Sequence, residues 1–139
     1  MPSSSSPDIG CVARSETDTS AGWVLVVDDD EGVRAYFCDV LASAGYRVDL
    51  ARDGGEAIEI LRNRTPDVVL MDLVMPNREG IETIRELRAL HPNLPVIAMS
   101  GALRNETYLK LAAVLGAGST LAKPVTPEQL LSAVAAARP

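Results

Sequence analysis

The chain has 139 residues, 47% of them hydrophobic, which fits a single globular domain. Its formal net charge of −6 argues against a direct nucleic-acid partner, because such binding depends on Lys and Arg side chains that neutralise phosphates. The sequence has no apolar run near the roughly 20 residues that span a bilayer, and no basic start followed by an apolar stretch. We therefore expect a cytoplasmic protein with no membrane partner.

Residues 1–20 are rich in Ser and lack a repeating apolar face that could be buried. We expect a disordered N-terminal tail over residues 1–21 and one folded domain over residues 22–139. The two cysteines, Cys11 and Cys38, lie far apart and outside any CxxC or Cys/His cluster. This spacing favours two reduced thiols over a disulfide framework or a zinc site.

Beyond the tail, short apolar runs alternate with longer segments of helical period, a pattern typical of βαβ units that form a parallel sheet. Three of the five strand candidates are nearly all apolar, as expected for strands covered on both faces. The second and fifth candidates are more polar and are predicted to be edge strands. The predicted strands are Trp23–Val27, Arg47–Leu50, Val68–Met71, Val96–Met99 and Thr120–Ala122.

Five helices are predicted, one after each strand. Apolar side chains recur at helical spacing over Val33–Ala44, which predicts the first helix. Capping boxes mark two further starts, Asp53 with Glu56 for the second helix and Thr126 with Gln129 for the fifth. The third and fourth helices are predicted over residues 81–90 and 104–115.

Ligands of an open parallel sheet bind beyond the carboxyl ends of its strands, where the strand order reverses. Asp72 stands at such an end directly after an apolar strand, so it is not an ordinary surface carboxylate. Polar residues or glycine follow three other predicted strands at the same edge. They are Asp28, Asp29 and Asp30 after the first strand, Ser100 and Gly101 after the fourth, and Lys123 after the fifth.

Each of these signals has an ordinary interpretation when taken alone. An Asp before a helix commonly caps it, and Lys123 by itself would be a surface lysine in a loop. If Asp72 converges with two acids from the first strand, however, their mutual repulsion must be offset by a cation. Mg²⁺ fits best, because it binds through one or two carboxylates, keeps several waters and bridges to phosphate oxygens, whereas Ca²⁺ demands more protein oxygens.

Five segments together resemble the receiver (response regulator, CheY-like) family of two-component signalling, over about residues 22–138. The resemblance implies an α/β fold of the flavodoxin-like (βα)5 type, a doubly wound sheet of five parallel strands in the order 2-1-3-4-5. The segments are VLVVDDDEGVR at 24–34, ARDGGEA at 51–57, VVLMDLVMPNREG at 68–80, PVIAMSG at 95–101 and LAKP at 121–124.

The resemblance also implies a role for each matching residue. Asp72 would be the phosphoacceptor, and Asp28 and Asp29 the acidic pair that binds Mg²⁺ with it, Asp29 more directly. The backbone carbonyl of Val74 would be a further metal ligand, and Asp30 would be a bystander. The remaining implied roles concern Ser100, whose hydroxyl would move toward the phosphoryl group, Gly101, whose backbone would bind that group, Lys123, which would pair with it, and Pro124, which commonly follows a cis peptide.

As a family member, the chain would take a phosphoryl group from a histidine kinase or a histidine phosphotransfer protein and would switch or relay a signal to an unknown downstream protein. It would be a monomer or a phosphorylation-dependent dimer. It would not be an enzyme, except that it assists its own phosphorylation and dephosphorylation.

Four positions depart from the family pattern. Thr120 replaces the usual aromatic residue three positions before Lys123, and Val125 replaces a frequent Phe. These changes leave two readouts open, a backbone movement of the fourth-helix region or a simple phosphate relay. Val74 and Ala102 are apolar where some relatives have polar side chains that position the hydrolytic water, so we expect slow autodephosphorylation.

Proteins of other classes would need residues that this sequence lacks, or stay open as alternatives. An aspartate-nucleophile phosphatase would need a second acid where Val74 stands, and a flavodoxin-like cofactor binder would need a phosphate-cradling loop in place of the acids after the first strand. A non-phosphorylated interaction module stays open, although the set of Asp29, Asp72, Ser100 and Lys123 is complete. A receiver fragment of a hybrid histidine kinase also stays open, although the stop after the fifth helix favours a free regulator without a DNA-binding output domain.

Overall fold

In a computed structural model of the protein, residues 22–73, 79–100 and 119–137 are described. Their strands form one parallel sheet in the order β2-β1-β3-β4-β5, which confirms the predicted doubly wound α/β fold and the two predicted edge strands. The strands are β1 (Gly22–Val27), β2 (Tyr46–Ala51), β3 (Val68–Asp72), β4 (Val96–Ser100) and β5 (Ser119–Ala122).

Four helices lie within the described residues, and they agree with the first, second, third and fifth predicted helices. The predicted helix over residues 104–115 and the predicted tail over residues 1–21 lie outside the described residues. The helices are α1 (Glu31–Ser43), α2 (Gly54–Asn63), α3 (Glu79–Leu90) and α4 (Pro127–Ala137).

The predicted caps define the start of each helix that follows a described loop. The Asp53 carboxylate accepts a hydrogen bond from the Glu56 backbone N–H at 2.9 Å, while the Glu56 carboxylate accepts one from Arg52 and not from Asp53. Thr126 and Gln129 form a reciprocal capping box at α4. Such caps satisfy backbone donors that the first turn of a helix leaves unpaired.

The core lies on both faces of the sheet, because side chains of a strand alternate between its two faces. In β1, Val24 and Val26 pack into one hydrophobic cluster, and Leu25 and Val27 pack into the other. The first cluster is completed by α1 and α4, and the second by α2 and α3. This double coverage explains the apolar runs that predicted the inner strands.

The packing of α2 on α3 is close at one point. Gly54 is fully buried at the start of α2, and a Cβ atom added there would overlap the Thr83 hydroxyl oxygen and lie 3.1 Å from the Thr83 Cβ. Gly55, the next residue, is exposed, and a Cβ there would lie 3.4 Å from an Asp53 carboxylate oxygen, an ordinary contact.

Trp23 anchors the amino end of β1, opposite the end where the predicted site lies. Its backbone N–H donates to the Asp67 carboxylate at 2.7 Å. Two guanidinium groups contact its ring, with Cζ-to-centroid distances of 5.8 Å for Arg47 and 4.9 Å for Arg64. Arg64 also pairs with the buried carboxylate of Asp49 at 3.1 Å. The contacts of the ring are cation–π in character, and that of Arg64 with Asp49 is ionic.

The expectation of two reduced thiols is wrong, because Cys38 is buried in α1 and disulfide-bonded. Cys11 lies outside the described residues.

The described part of the chain contains no helix that is long and apolar enough to cross a membrane.

Candidate functional site

Three carboxylates meet at the carboxyl edge of the sheet. β1 pairs directly with β3, with Val27 opposite Met71, so the residues that follow these partners emerge side by side. Asp28, Asp29 and Asp72 place one carboxylate oxygen each within 4.8 Å of one another. Asp28 and Asp72 are buried and Asp29 is exposed, so the cluster has an open side. Sequence reasoning predicted this convergence, and the structure brings all three residues together.

Both oxygens of the Asp28 carboxylate accept hydrogen bonds. Oδ1 accepts from the Asp30 backbone N–H at 2.9 Å, and Oδ2 accepts from the Lys123 ammonium at 2.7 Å. Asp30 itself caps α1, since its carboxylate accepts from the Val33 backbone N–H at 3.1 Å. Asp30 therefore caps α1, whereas Asp28 and Asp29 belong to the acidic cluster.

Lys123 reaches the cluster from the loop after β5, across the ends of β4 and β3. Its Nζ atom lies 3.4 Å from Oδ2 of Asp72, and its side chain is only 22% exposed. Burial by itself lowers the pKa of this lysine, but the hydrogen bond to Asp28 and the charges of Asp72 and Asp28 outweigh it, so the pKa is raised. Lys123 therefore stays fully charged at neutral pH.

The cluster retains negative charge and has a donor set suited to a hard cation. Three carboxylates contribute −3 and Lys123 contributes +1, which leaves −2 among these four groups. All the donor atoms of the three acids are carboxylate oxygens, which hard divalent ions such as Mg²⁺ prefer over softer metals. The residues present thus fit a divalent cation by charge and by ligand type.

Comparison with known proteins agrees with this fold. The profile of the family described as response regulator receiver domain matches residues 24–135, most of the chain. The chain belongs to this family.

Curated response regulators are similar to this chain in sequence. The response regulator MprA of Mycobacterium sp. (strain KMS) is 38% identical over 110 residues, which cover 78% of this chain and 47% of MprA. The chain thus spans about half the length of the curated relatives it matches.

Solved structures of receivers superpose along most of the chain. A CheY-like receiver domain protein from Methanospirillum hungatei JF-1 has a TM-score of 0.76 at 28% identity and covers 82% of this chain and 90% of its own. The chemotaxis protein CheY4 of Vibrio cholerae, crystallised at pH 4.0, has a TM-score of 0.77 at 29% identity and covers 83% and 97%.

The other predicted residues of the receiver site are placed as follows. Ser100 is the last residue of β4 and pairs in register with Ala122 of β5. The Lys123–Pro124 peptide is cis, as predicted. Val74, Gly101 and Ala102 lie outside the described residues. Of the two positions that lack the usual aromatic residue, Thr120 is exposed and Val125 is buried.

Two residues on α1 contact the receiver site and were not singled out from the sequence. An Nη atom of Arg34 donates to the main-chain carbonyl of Asp28 at 2.8 Å. The Tyr36 hydroxyl donates to the main-chain carbonyl of Val125 at 2.7 Å. Their signal in the sequence was position alone, because Arg34 and Tyr36 fall in the first two turns of the helix that follows the acidic residues.

Proposed function

We propose that this receiver domain accepts a phosphoryl group on Asp72, in the presence of Mg²⁺, from a phosphohistidine of a histidine kinase or histidine phosphotransfer protein. The observation that carries the proposal is the placement of Asp72. It is a buried carboxylate at the end of β3 that lies 3.4 Å from a lysine ammonium and beside two further acids.

The chemistry is nucleophilic displacement at phosphorus. An oxygen of the Asp72 carboxylate attacks the phosphorus atom, and the new O–P bond forms as the P–N bond to the donor imidazole breaks. The imidazole nitrogen keeps the electron pair of that bond and takes up a proton. The product is an aspartyl phosphate.

The side chains around Asp72 support this reaction electrostatically. Lys123 carries a full positive charge at neutral pH and can pair with phosphoryl oxygens, since its Nζ atom already lies near Asp72. Asp28 and Asp29, with Asp72 and the carbonyl of Val74, would hold Mg²⁺. The ion would supply positive charge that offsets the negative charge of the transferring group. Ser100 and the backbone of Gly101 are proposed to contact that group from the end of β4.

The proposal is tested by intact mass measurement after incubation with acetyl phosphate, with Mg²⁺ or with EDTA. We expect the parent chain to gain the mass of one phosphoryl group with Mg²⁺ only. Asp72→Asn keeps the shape of the side chain but loses the nucleophile, so it should gain none. Asp39→Asn changes an exposed acid on α1 and is the matched control, which should behave like the parent. A parent chain that gains no phosphoryl group with Mg²⁺ would reject the mechanism.

We propose a signalling role for the phosphorylated chain. The chain would switch or relay a signal to a downstream protein in the cytoplasm, as a monomer or as a phosphorylation-dependent dimer, and would have no direct nucleic-acid partner. It would not be an enzyme beyond assisting its own phosphorylation and dephosphorylation. Sedimentation velocity of the phosphorylated and unmodified chain would separate the monomer from the dimer.

A further inference from the structure

The segment of residues 123–125 is held at both of its ends. At one end, the Lys123 ammonium contacts the Asp28 carboxylate at 2.7 Å. At the other end, the Val125 side chain is buried in the same cluster as Phe37 of α1, and its carbonyl accepts a hydrogen bond from Tyr36. Val125 is two residues after Lys123, so the hydrogen bond from Tyr36 to the Val125 carbonyl links the backbone near the lysine to α1.

Tyr36 makes this attachment beside an open cavity. The cavity has a volume of about 570 Å³ and is lined by Tyr36, Asp30, Lys123, Pro124 and neighbouring residues. Pro124, between Lys123 and Val125, is exposed beside this cavity. The Tyr36 hydroxyl therefore supplies a directional contact to the backbone next to an open surface.

Phosphorylation of Asp72 requires the Lys123 ammonium to change its partner. Lys123 is closer to Asp28 than to Asp72, so its ammonium has to exchange one carboxylate partner for phosphoryl oxygens during the reaction. A lysine side chain has several rotatable bonds, and its reach is reproducible only if the backbone that carries it is fixed. A loop that drifted toward the cavity would leave the developing charge on the phosphoryl group less well compensated.

We propose that Tyr36 is a positioning residue for phosphoryl transfer, acting through Lys123 by fixing the carbonyl of Val125. The inference rests on the proposed function of Asp72. Loss of one hydrogen bond of this kind costs about a three- to tenfold factor in a rate or an equilibrium constant. The effect should fall on the rate of transfer and not on the binding of Mg²⁺, because the acidic cluster is unchanged.

The test compares Tyr36→Phe with a control in the same loop. Tyr36→Phe removes the hydroxyl and keeps the ring. Thr126→Ala, the control, removes the hydrogen bond from the Gln129 backbone N–H to the Thr126 hydroxyl one residue after Val125, without touching Tyr36. The rate of phosphorylation by acetyl phosphate is measured at several Mg²⁺ concentrations. The maximal rate and the midpoint in Mg²⁺ are determined separately, because general loosening of the fold would change both.

We expect Tyr36→Phe to slow the maximal rate about three- to tenfold, with an unchanged midpoint in Mg²⁺. Thr126→Ala should lower the melting temperature and leave the maximal rate as in the parent. The inference is overturned if Tyr36→Phe matches the parent in maximal rate, if its midpoint in Mg²⁺ shifts together with the rate, or if the two variants are slowed equally. A parent chain that takes no phosphoryl group rejects the proposed function, and the inference with it, which distinguishes the two failures.

Discussion

Lys123 and Asp28 form the closest ion pair of the acidic cluster, at 2.7 Å, and not Lys123 and Asp72, which are separated by 3.4 Å. In this state the lysine compensates the charge of a proposed metal-site acid while it stays within reach of the proposed acceptor. Within the cluster of Asp28, Asp29 and Asp72, the Lys123 ammonium therefore has two competing carboxylate partners, Asp28 and Asp72.

Replacing Lys123 with Met removes the ammonium group that lies within 3.4 Å of the buried carboxylates of Asp28 and Asp72. We expect Lys123→Met to lower the free energy of unfolding by about 1–3 kcal/mol at pH 7 in EDTA, below the cost of breaking a fully buried pair because the lysine is partly exposed. Mg²⁺ should restore part of the loss, since it offsets the same charges. Urea unfolding followed by circular dichroism measures both values.

Arg62→Met is the control for that experiment, because Arg62 is an exposed cation in the last turn of α2. It should change the free energy of unfolding by less than about 0.5 kcal/mol and show no added response to Mg²⁺. Equal stability of Lys123→Met and the parent in EDTA would contradict the expected charge compensation.

The raised pKa of Lys123 predicts a loss of stability in alkali. Since the folded state binds this proton more tightly than the unfolded state, the stabilisation is complete below the ordinary value of 10.5 and is lost as the pH rises through the higher folded value. The free energy of unfolding of the parent should therefore fall faster than that of Lys123→Met above pH 10.5. Parallel curves from pH 9 to 12 would show that the lysine proton is not linked to folding.

Gly54→Ala tests the close approach of α2 and α3. The added methyl group overlaps the Thr83 hydroxyl, and we expect a loss of about 1–3 kcal/mol from overpacking. Gly55→Ala, one residue further on, meets only an ordinary contact and should gain up to about 1 kcal/mol from helix propensity. Thermal unfolding of both variants gives the comparison.

A double variant isolates the cause of that loss. Thr83→Ala removes the overlapping hydroxyl, so Gly54→Ala combined with Thr83→Ala should be more stable than the sum of the single effects by at least about 0.5 kcal/mol. Strict additivity would assign the loss at Gly54 to another origin.

Ser100→Ala separates acceptance of the phosphoryl group from the response to it. If the Ser100 hydroxyl moves toward the phosphoryl group as proposed, the variant should still gain one phosphoryl group, but most phosphorylation-dependent amide shifts in the NMR spectrum should disappear. Ser132→Ala, on an exposed position of α4, is the control and should keep the full pattern. The full pattern of shifts in Ser100→Ala would contradict the proposed role.

The apolar residues Val74 and Ala102 predict a long-lived phosphoprotein. Val74→Asn would supply a polar group that can position water, so the half-life of the phosphorylated chain should be shorter in that variant than in the parent. Decay of the phosphorylated mass after removal of the donor measures both. A parent half-life as short as that of a fast chemotaxis regulator would refute this expectation.

Much of the fold and the acidic cluster could be predicted because both depend on local patterns. Apolar runs and helical periods predicted the strands and helices. Because ligands of a parallel sheet bind beyond the carboxyl ends of its strands, the positions of Asp28 and Asp72 predicted that they lie at one edge. The prediction for Glu56 was displaced by one residue, since its carboxylate binds the Arg52 backbone and not that of Asp53. The local pattern does not specify which of two adjacent N–H groups a flexible side chain selects.

The contact of Tyr36 with Val125 could not be predicted, because it joins a side chain to a distant main-chain carbonyl. Tyr36 and Val125 are 89 residues apart, and every carbonyl of the chain offers the same acceptor. His91 shows the same limit: this loop residue is half-buried, with Nε2 2.8 Å from the carbonyl oxygen of Leu61. Tertiary packing selects these partners, and no periodicity records them.

The position of Trp23 has a practical consequence for optical measurements. It is the single tryptophan of the chain and lies at the start of β1, five residues before Asp28 and therefore about 16 Å along the strand from the acidic cluster. Two guanidinium groups hold its indole ring, and unfolding would release it to water. Its fluorescence emission should therefore change on global unfolding but hardly at all when metal or phosphate binds at the other end of the sheet. The free energy of unfolding can then be measured by fluorescence with ligand present, without a correction for binding.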